Sequence, residues 1–232
     1  MKFFLKKIYY SIFSKNYNFT RTLINKYFLN KKKTFVAFSS IGGGPKYIQG
    51  EEFYDLTKKY NGIFVRDTSR SWFNHIDIKL LKKNIKEKVD FVIGYSMGGF
   101  NAIIFSSLFK VKRVIALSSQ FSIHPEISED KDFINYAARI KNWKYPQLKF
   151  SNDTKYLLIF GDSDKEKYHA NLMPKKRNIR IIYVKNSNHF SMVKIKKTKK
   201  FYKLIYNFIE KGQVNLEDLS LKLRQNHLKK VR

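Results

Sequence analysis

Six short apolar runs recur along the middle of the chain, and helix-like segments or turn residues separate them. Runs of five to seven mainly apolar residues are typical of strands buried on both faces of a sheet. Strands that alternate with helices predict a mostly parallel sheet covered on both sides, which is a three-layer α/β/α sandwich. Helices are predicted at 46–60, 76–87 and 193–209. The predicted strands are 34–40, 62–66, 89–93, 111–117, 154–160 and 179–184.

The third apolar run ends in a glycine-rich turn. It stops at Gly94, Ser96 follows two residues on, Gly98 and Gly99 come next, and residues 101–105 have a helix-like apolar face. Strand, tight turn and helix form the context in which G-x-S-x-G builds a nucleophile elbow, where a strained turn exposes the serine hydroxyl. The pattern therefore indicates a nucleophilic Ser96. An ordinary glycine-rich turn between a strand and a helix is the alternative.

The sequence Gly-Tyr-Ser-Met-Gly-Gly at 94–99 resembles the elbow of the α/β-hydrolase superfamily. The resemblance covers roughly residues 34–210 and implies a serine, an acid and a histidine in that chain order. It also implies an oxyanion hole of two backbone N–H groups, from Met97 and from Ile41 in the loop after the first predicted strand. The family's usual His-Gly is absent from that loop, where Gly42 lets backbone approach a substrate closely. The family's two leading antiparallel strands are not evident, so we expect a reduced N-terminal part.

The resemblance also supplies the acid and the base. Gly161 to Asp164 resembles the Gly-x-x-Asp turn that carries the family's acid, which points to Asp164 with Asp162 as the alternative. His189 comes five residues after the last predicted strand, at the position of the family's base. The other four histidines do not follow a terminal strand in this way. The implied catalytic triad is Ser96, Asp164 and His189.

Two further segments are candidates for substrate contact. The loop 67–74 follows the carboxyl end of a predicted strand, where open α/β sheets bind ligands. In that loop Arg70 is a candidate for holding an anionic group, and Trp72 for stacking on a sugar ring or lining an acyl pocket. A plain capping loop is the alternative. Residues 118–150 lack strong periodicity and contain His124, and in the family this position often carries a lid over the active site.

The two ends of the chain are basic. Residues 1–33 are predicted to be a basic amphipathic leader, either lying on an anionic membrane surface or packed on the domain. Residues 211–232 are predicted to be a basic, partly helical tail. No apolar run approaches the roughly 18 residues that span a bilayer, and Lys6 and Lys7 interrupt the apolar start. We therefore expect a cytoplasmic protein, with peripheral contact at the inner face of the membrane as an additional expectation.

Composition narrows the classes of function. The chain has 47 Lys and Arg against 18 Asp and Glu, a net charge of +29, which favours anionic partners such as acidic glycans, lipids or nucleic acid. General compositional bias is the other explanation of this charge. No cysteine is present, which excludes disulfides and a thiol nucleophile. Neither a clustered metal-ligand set nor a P-loop occurs, and we expect no cofactor and no metal. No nucleic-acid-binding motif is present, so no specific nucleic acid is expected.

Three functions remain open at this point. The first is a serine esterase that acts through an acyl-enzyme on a small-molecule or glycan ester, expected to be anionic. The second is an O-acyltransferase that uses the same triad on a bacterial surface polysaccharide. The third is a non-catalytic binding protein with the same fold, for membrane or nucleic acid. An ordered set of serine, acid and histidine argues against the third, because a binding scaffold does not need it.

Overall fold

The computed structural model describes residues 22–44, 47–190 and 192–214. These residues form a seven-stranded sheet with the order β1-β3-β2-β4-β5-β6-β7. Neighbouring strands run parallel except β1, which is antiparallel to β3 at one edge. The strands are β1 (Thr22–Tyr27), β2 (Thr34–Phe38), β3 (Asn61–Asp67), β4 (Phe91–Tyr95), β5 (Arg113–Leu117), β6 (Lys155–Gly161) and β7 (Ile179–Val184).

Helices cover both faces of this sheet, so the predicted three-layer sandwich is confirmed. They are α1 (Ile78–Asn84), α2 (Met97–Phe109), α3 (Ile134–Ala137), α4 (Asp164–Asn171), α5 (Met192–Ile195) and α6 (Lys199–Lys211), with a 3₁₀ helix at Tyr54–Lys58. None of the helices in the described ranges is both long and apolar enough to cross a membrane.

Alternate residues of the strands enter two apolar cores, one on each face. In β2, Val36 and Phe38 join the core that contains the apolar side chains of α2. Phe35 and Ala37 join the core that contains those of α6. Neighbouring side chains of a strand point to opposite faces, so a strand buried on both sides must be apolar throughout. This is why unbroken apolar runs located these strands in the sequence.

All six predicted strands are present, and a seventh, β1, lies within the predicted leader. One antiparallel strand therefore precedes β2 within the described residues, which agrees with the expected reduced N-terminal part. Among the described strands β1 pairs with β3 alone, at the edge of the sheet, and most of its residues are half-buried. It contains the polar residues Asn25 and Lys26, so it lacks the unbroken apolar run of a central strand. The rest of the leader, residues 1–21, lies outside the described residues.

Two predicted helices differ from the structure. The segment 46–60 contains only the short 3₁₀ helix, since Phe53 before it has φ of 65° and breaks a regular helical path. The predicted closing helix is divided into α5 and α6, and Thr198 caps α6 by accepting a hydrogen bond from the N–H of Phe201. Of the predicted basic tail, residues 215–232 lie outside the described residues.

Candidate active site

Ser96 lies between the end of β4 and the start of α2, on a strained turn. Its φ of 56° and ψ of −127° are unusual for a residue with a side chain. A Cβ atom at Gly94 would lie 2.0 Å from the carbonyl oxygen of Gly98, and one at Gly98 would lie 2.3 Å from that of Phe38. Only glycine fits at these two positions. The turn therefore has the geometry that a nucleophile elbow requires.

His189 joins Ser96 to a buried carboxylate. Its Nε2 atom lies 3.0 Å from Ser96 Oγ, and its Nδ1 atom lies 2.9 Å from Oε1 of Glu166. An ionised carboxylate only accepts hydrogen bonds, so Nδ1 carries the proton and donates it to Glu166. Nε2 is then the acceptor for the Ser96 hydroxyl. This is the arrangement in which a histidine can remove a proton from a serine.

The carboxylate against His189 is that of Glu166, and the assignment of this place to Asp164 is corrected by the geometry. Asp164 is the first residue of α4 and is exposed. Two residues further along a helix the side chain has turned by about 200°, which directs Glu166 to the interior. Asp162, the alternative, accepts a hydrogen bond from the N–H of Ser187 at 3.1 Å and so holds the loop before His189.

Glu166 remains ionised despite its burial. Burial alone would raise its pKa, but hydrogen bonds from His189 and from the backbone N–H of Gly161 outweigh this effect. The pKa of Glu166 is therefore held below its ordinary value of 4.5. The Gly161 bond measures 3.0 Å, so β6 and α4 together fix the carboxylate. The fixed carboxylate in turn sets the orientation of the His189 ring through Nδ1.

The loop that carries His189 is held by close backbone contacts. A Cβ atom at Gly161 would lie 2.4 Å from the carbonyl oxygen of Ser187, so the end of β6 touches this loop directly. The hydroxyl of Tyr95 donates to the carbonyl oxygen of His189 at 2.7 Å, and the two rings lie 5.1 Å apart. Tyr95 is the residue before the serine, and no sequence pattern marked it as part of the site. Nor did any pattern mark Glu166.

The two predicted oxyanion donors lie beside the elbow. Phe38 at the end of β2 pairs with Gly94 of β4, which brings the following loop and Ile41 next to the start of α2. Within the described ranges, the N–H groups of Ile41 and Met97 donate no hydrogen bond to the protein. Gly42 has φ of 64°, which favours glycine. The oxyanion role of these residues remains a prediction.

Arg70 is committed to the backbone of this same loop. Its guanidinium donates to the carbonyl oxygens of Ile41 at 3.3 Å and Gly44 at 2.8 Å, and also to those of Thr68 and Tyr47. Arg70 is 3% exposed. A buried guanidinium whose donors are taken up by carbonyls is not an open site for an anion. The structure therefore gives Arg70 a different place from the predicted one, as the clamp of the glycine-rich loop.

Trp72 is fully buried and cannot stack on a sugar ring, whereas its alternative role, lining an acyl pocket, stays a prediction. Its Nε1 donates to Gln120 at 3.1 Å, and its ring lies 5.2 Å from that of Phe133. The ring of Phe133 in turn lies 6.4 Å from that of His189. Segment 118–150 thus contributes an aromatic side chain beside the histidine. The predicted candidate His124 packs against Trp143 at 4.7 Å within this segment.

Helix α4 anchors segment 118–150. Lys165 pairs with Asp132 at 2.6 Å, and Nε2 of His169 lies 2.9 Å from Asp130. The N–H of Glu129 donates to the hydroxyl of Tyr168 at 2.8 Å. Successive turns of α4 therefore bind this segment, while Glu166 on the same helix contacts His189. Ser96, which contacts His189, is 1% exposed and is therefore almost fully covered by protein.

Neither a protein-family model nor a curated protein matches this chain by sequence. Solved structures do match. The capsule O-acetyltransferase of Neisseria meningitidis serogroup A superposes with a TM-score of 0.55 at 14% identity, over 82% of this chain and 92% of that one. A structure from a study of carboxylesterases of Nitrososphaera gargenis superposes with a TM-score of 0.56 at 12% identity, over 81% of this chain and 93% of that one. The carboxylesterase CesB of Bacillus subtilis superposes with a TM-score of 0.50 at 12% identity, over 86% of this chain and 90% of that one.

These likenesses extend over most of the chain and concern its fold. The chain has the α/β-hydrolase fold, as its sequence predicted.

Proposed function

We propose that this protein is a serine enzyme that cleaves carboxylic esters through an acyl-enzyme. The observation that carries the proposal is the continuous hydrogen-bonded path from Ser96 through His189 to Glu166, at 3.0 and 2.9 Å. A serine hydroxyl is a weak nucleophile until an adjacent base accepts its proton, and here the base is already in contact. The esterase likenesses at the level of fold support the same class of reaction.

In the first half of the reaction, Ser96 Oγ bonds to the carbonyl carbon of the ester while His189 Nε2 takes the hydroxyl proton. The N–H groups of Ile41 and Met97 donate to the oxyanion, and one such donor is worth roughly 3 kcal/mol in related enzymes. The bond to the alcohol then breaks, and the alcohol leaves with the proton from His189. In the second half, water follows the same path and returns Ser96 to its free form.

Transfer of the acyl group to a sugar hydroxyl is the second candidate function. The observation that favours it is the burial of Ser96, because hydrolysis requires water at the acyl-enzyme and a covered site restricts water. The fold is also similar to that of a capsule O-acetyltransferase. Release of acid from an activated acetyl ester, measured with and without acidic glycan acceptors, separates the two. A product ester that forms only with acceptor indicates transfer.

We also propose that the substrate or acceptor is anionic. A cavity of about 410 Å³ beside the start of α6 is lined by four lysines, two tyrosines, an asparagine and a single aspartate. None of the lining residues belongs to the triad, so the cavity supports the proposal only through its charge, which attracts anions less strongly as salt is added. Titration of an acidic polysaccharide at low and physiological salt tests the proposal. We expect weaker binding at physiological salt, and binding that salt does not change would contradict the proposal. The lining residues are Asp55, Lys58, Lys197, Lys199, Tyr202, Lys203, Tyr206 and Asn207.

Labelling with a fluorophosphonate followed by mass spectrometry tests the enzyme class directly. We expect a phosphonyl group on Ser96 in the wild type and none in Ser96→Ala or His189→Ala. Ser107→Ala is the matched control, since its hydroxyl bonds to the carbonyl of Ile104 in the later part of α2. A folded wild type that stays unlabelled, together with a Phe133→Ala variant that also stays unlabelled, would exclude an activated serine. The function would then be that of a non-catalytic protein that binds anionic membranes or nucleic acid.

A further inference from the structure

Ser40, the residue before Ile41, is held by two side chains, one on its N–H and one on its carbonyl oxygen. The N–H of Ser40 donates to Oε1 of Glu52 at 2.9 Å, and the hydroxyl of Ser40 donates to the same oxygen. The carbonyl oxygen of Ser40 accepts from Nε2 of Gln49 at 2.8 Å. A trans peptide is planar, so the direction of this carbonyl sets the opposite direction of the Ile41 N–H. Gln49 therefore orients the peptide whose N–H the proposed mechanism uses as an oxyanion donor. Glu52 fixes Ser40, the residue from which that peptide starts.

The other oxygen of Glu52 pairs with Nζ of Lys196. The two side chains are only 16% and 11% exposed, so this ion pair is largely removed from water. Lys196 lies in the turn after α5, seven residues beyond His189. Its N–H donates to the carbonyl oxygen of Met192 at 3.0 Å, which ties it to that short helix. The pair thus joins the loop after β2 to the segment that follows His189.

Lys196 also contacts the residue that holds the histidine loop. Its Nζ lies 4.3 Å from the centre of the Tyr95 ring. At this distance the ammonium group makes a cation–π interaction with the face of the ring. Tyr95 donates to the carbonyl of His189 at 2.7 Å. Burial together with the charges of Glu52 and Glu166 raises the pKa of Tyr95, so its hydroxyl stays a donor. A continuous set of contacts therefore runs from Ser40 through Glu52, Lys196 and Tyr95 to His189.

We infer that Glu52 and Lys196 are a positioning pair, which keeps the oxyanion peptide and the histidine loop aligned with each other. The inference rests on the proposed function for its catalytic consequence, although the physical link between the two loops does not. A largely buried ion pair contributes little net stability compared with apolar side chains of the same size, so stability alone does not account for it. Neither residue touches the reacting atoms in this mechanism.

Hydrogen exchange tests the link without any need for activity. Lys196→Met removes the charge that faces Glu52, and we expect faster exchange of the amides at 39–42, which Lys196 does not itself contact. Lys26→Met is the matched control, because it removes a lysine whose pair with Glu87, at 3.3 Å, is more exposed. It should leave exchange at 39–42 unchanged. Unchanged exchange at 39–42 in a folded Lys196→Met protein would overturn the inference.

Kinetics test the catalytic consequence. With p-nitrophenyl acetate, and with active sites counted by phosphonate labelling, we expect Glu52→Gln and Lys196→Met each to lower kcat about tenfold or more. KM should change by less than about twofold, because the loss concerns the transition state. Lys196→Arg, which keeps the charge, should recover most of the rate. A purely structural pair would lower the melting temperature and the number of active sites, yet leave kcat per active site unchanged.

Failure of the proposed enzyme function and failure of the positioning pair give different experimental results. If neither the wild type nor Phe133→Ala carries a label on Ser96, the proposed enzyme function fails, and the exchange measurement still decides whether the pair links the two loops. If the wild type is labelled and turns over while both variants match it in kcat and in exchange, the positioning pair fails and the enzyme remains.

Discussion

Nδ1 of His189 lies 2.9 Å from Oε1 of Glu166. Glu166 lies two positions beyond Asp164, the residue that the sequence of the turn after β6 indicated as the acid. The carboxylate comes from the first turn of a helix and is buried beneath the histidine. A glutamate reaches from the helix because its side chain is one methylene longer than that of aspartate. The acid of this site is thus supplied by α4, and its orientation depends on how that helix packs.

The two acidic residues of α4 should respond differently to loss of charge. We expect Glu166→Gln to lower kcat roughly 10³-fold or more, because the amide no longer fixes the histidine tautomer or stabilises its protonated form. Asp164→Asn is the matched control and should keep nearly full activity, since Asp164 is exposed. The measurement is kcat on an activated ester. The opposite ranking of the two variants would restore Asp164 as the acid.

The close approach at the elbow predicts a difference between two glycines. Gly98→Ala should lower the melting temperature by several degrees, because its Cβ would lie 2.3 Å from the carbonyl oxygen of Phe38 and backbone must move. Gly50→Ala should leave it nearly unchanged, since nothing lies within 4 Å of a Cβ there. Thermal unfolding followed by circular dichroism measures both. Equal melting temperatures for the two variants would contradict the tight turn.

Removing the aromatic ring beside the histidine should open the site. We expect Phe133→Ala to raise the rate of phosphonate labelling several-fold, because its ring lies between that of Trp72 and that of His189. The neighbouring Ile134→Ala changes a side chain that is 50% exposed and should label at the wild-type rate. Labelling rates at several probe concentrations check this. A Phe133→Ala protein that labels no faster would show that segment 118–150 does not limit access.

The hydrogen bond between Asp130 and His169, which anchors segment 118–150, predicts a dependence of stability on pH. Burial alone would raise the pKa of Asp130, but its hydrogen bond with His169 and nearby backbone hold that pKa below 3.8. A carboxylate with a depressed folded-state pKa stabilises the fold above its unfolded pKa, and this contribution is lost as pH falls through the folded value.

We therefore expect Asp130→Asn to lower the free energy of unfolding at pH 6 by more than at pH 3. Urea unfolding at the two pH values gives both differences. Equal differences at the two pH values would show that the pair does not contribute through ionisation.

Features that are determined by contacts within a few residues along the chain could be predicted from the sequence. The central strands are buried on both faces, so each is an uninterrupted apolar run and could be located within two residues at either end. The elbow was recognisable because collisions with Gly98 and Phe38 demand glycine at fixed spacings from Ser96. These constraints act over a few residues and leave a pattern that can be read directly.

Other features depend on distant contacts. The choice of Glu166 over Asp164 depends on where α4 begins, and one residue of error in a helix start turns a side chain by about 100°. Arg70 was predicted to hold an anion because its loop follows the carboxyl end of a strand, whereas its partners are carbonyls up to 29 residues away. The edge strand β1 pairs with β3 alone among the described strands and needs no unbroken apolar run. Tyr95 and Lys196 carry no local signal at all.

Helix α4 is shared between two tasks, since Lys165, Tyr168 and His169 hold the covering segment while Glu166 holds the histidine. The packing of segment 118–150 and the position of Glu166 therefore depend on the same eight residues. A substitution in segment 118–150 that shifts α4 would also shift Glu166 relative to His189. In structural terms, the segment and the helix form one packing unit beside the histidine.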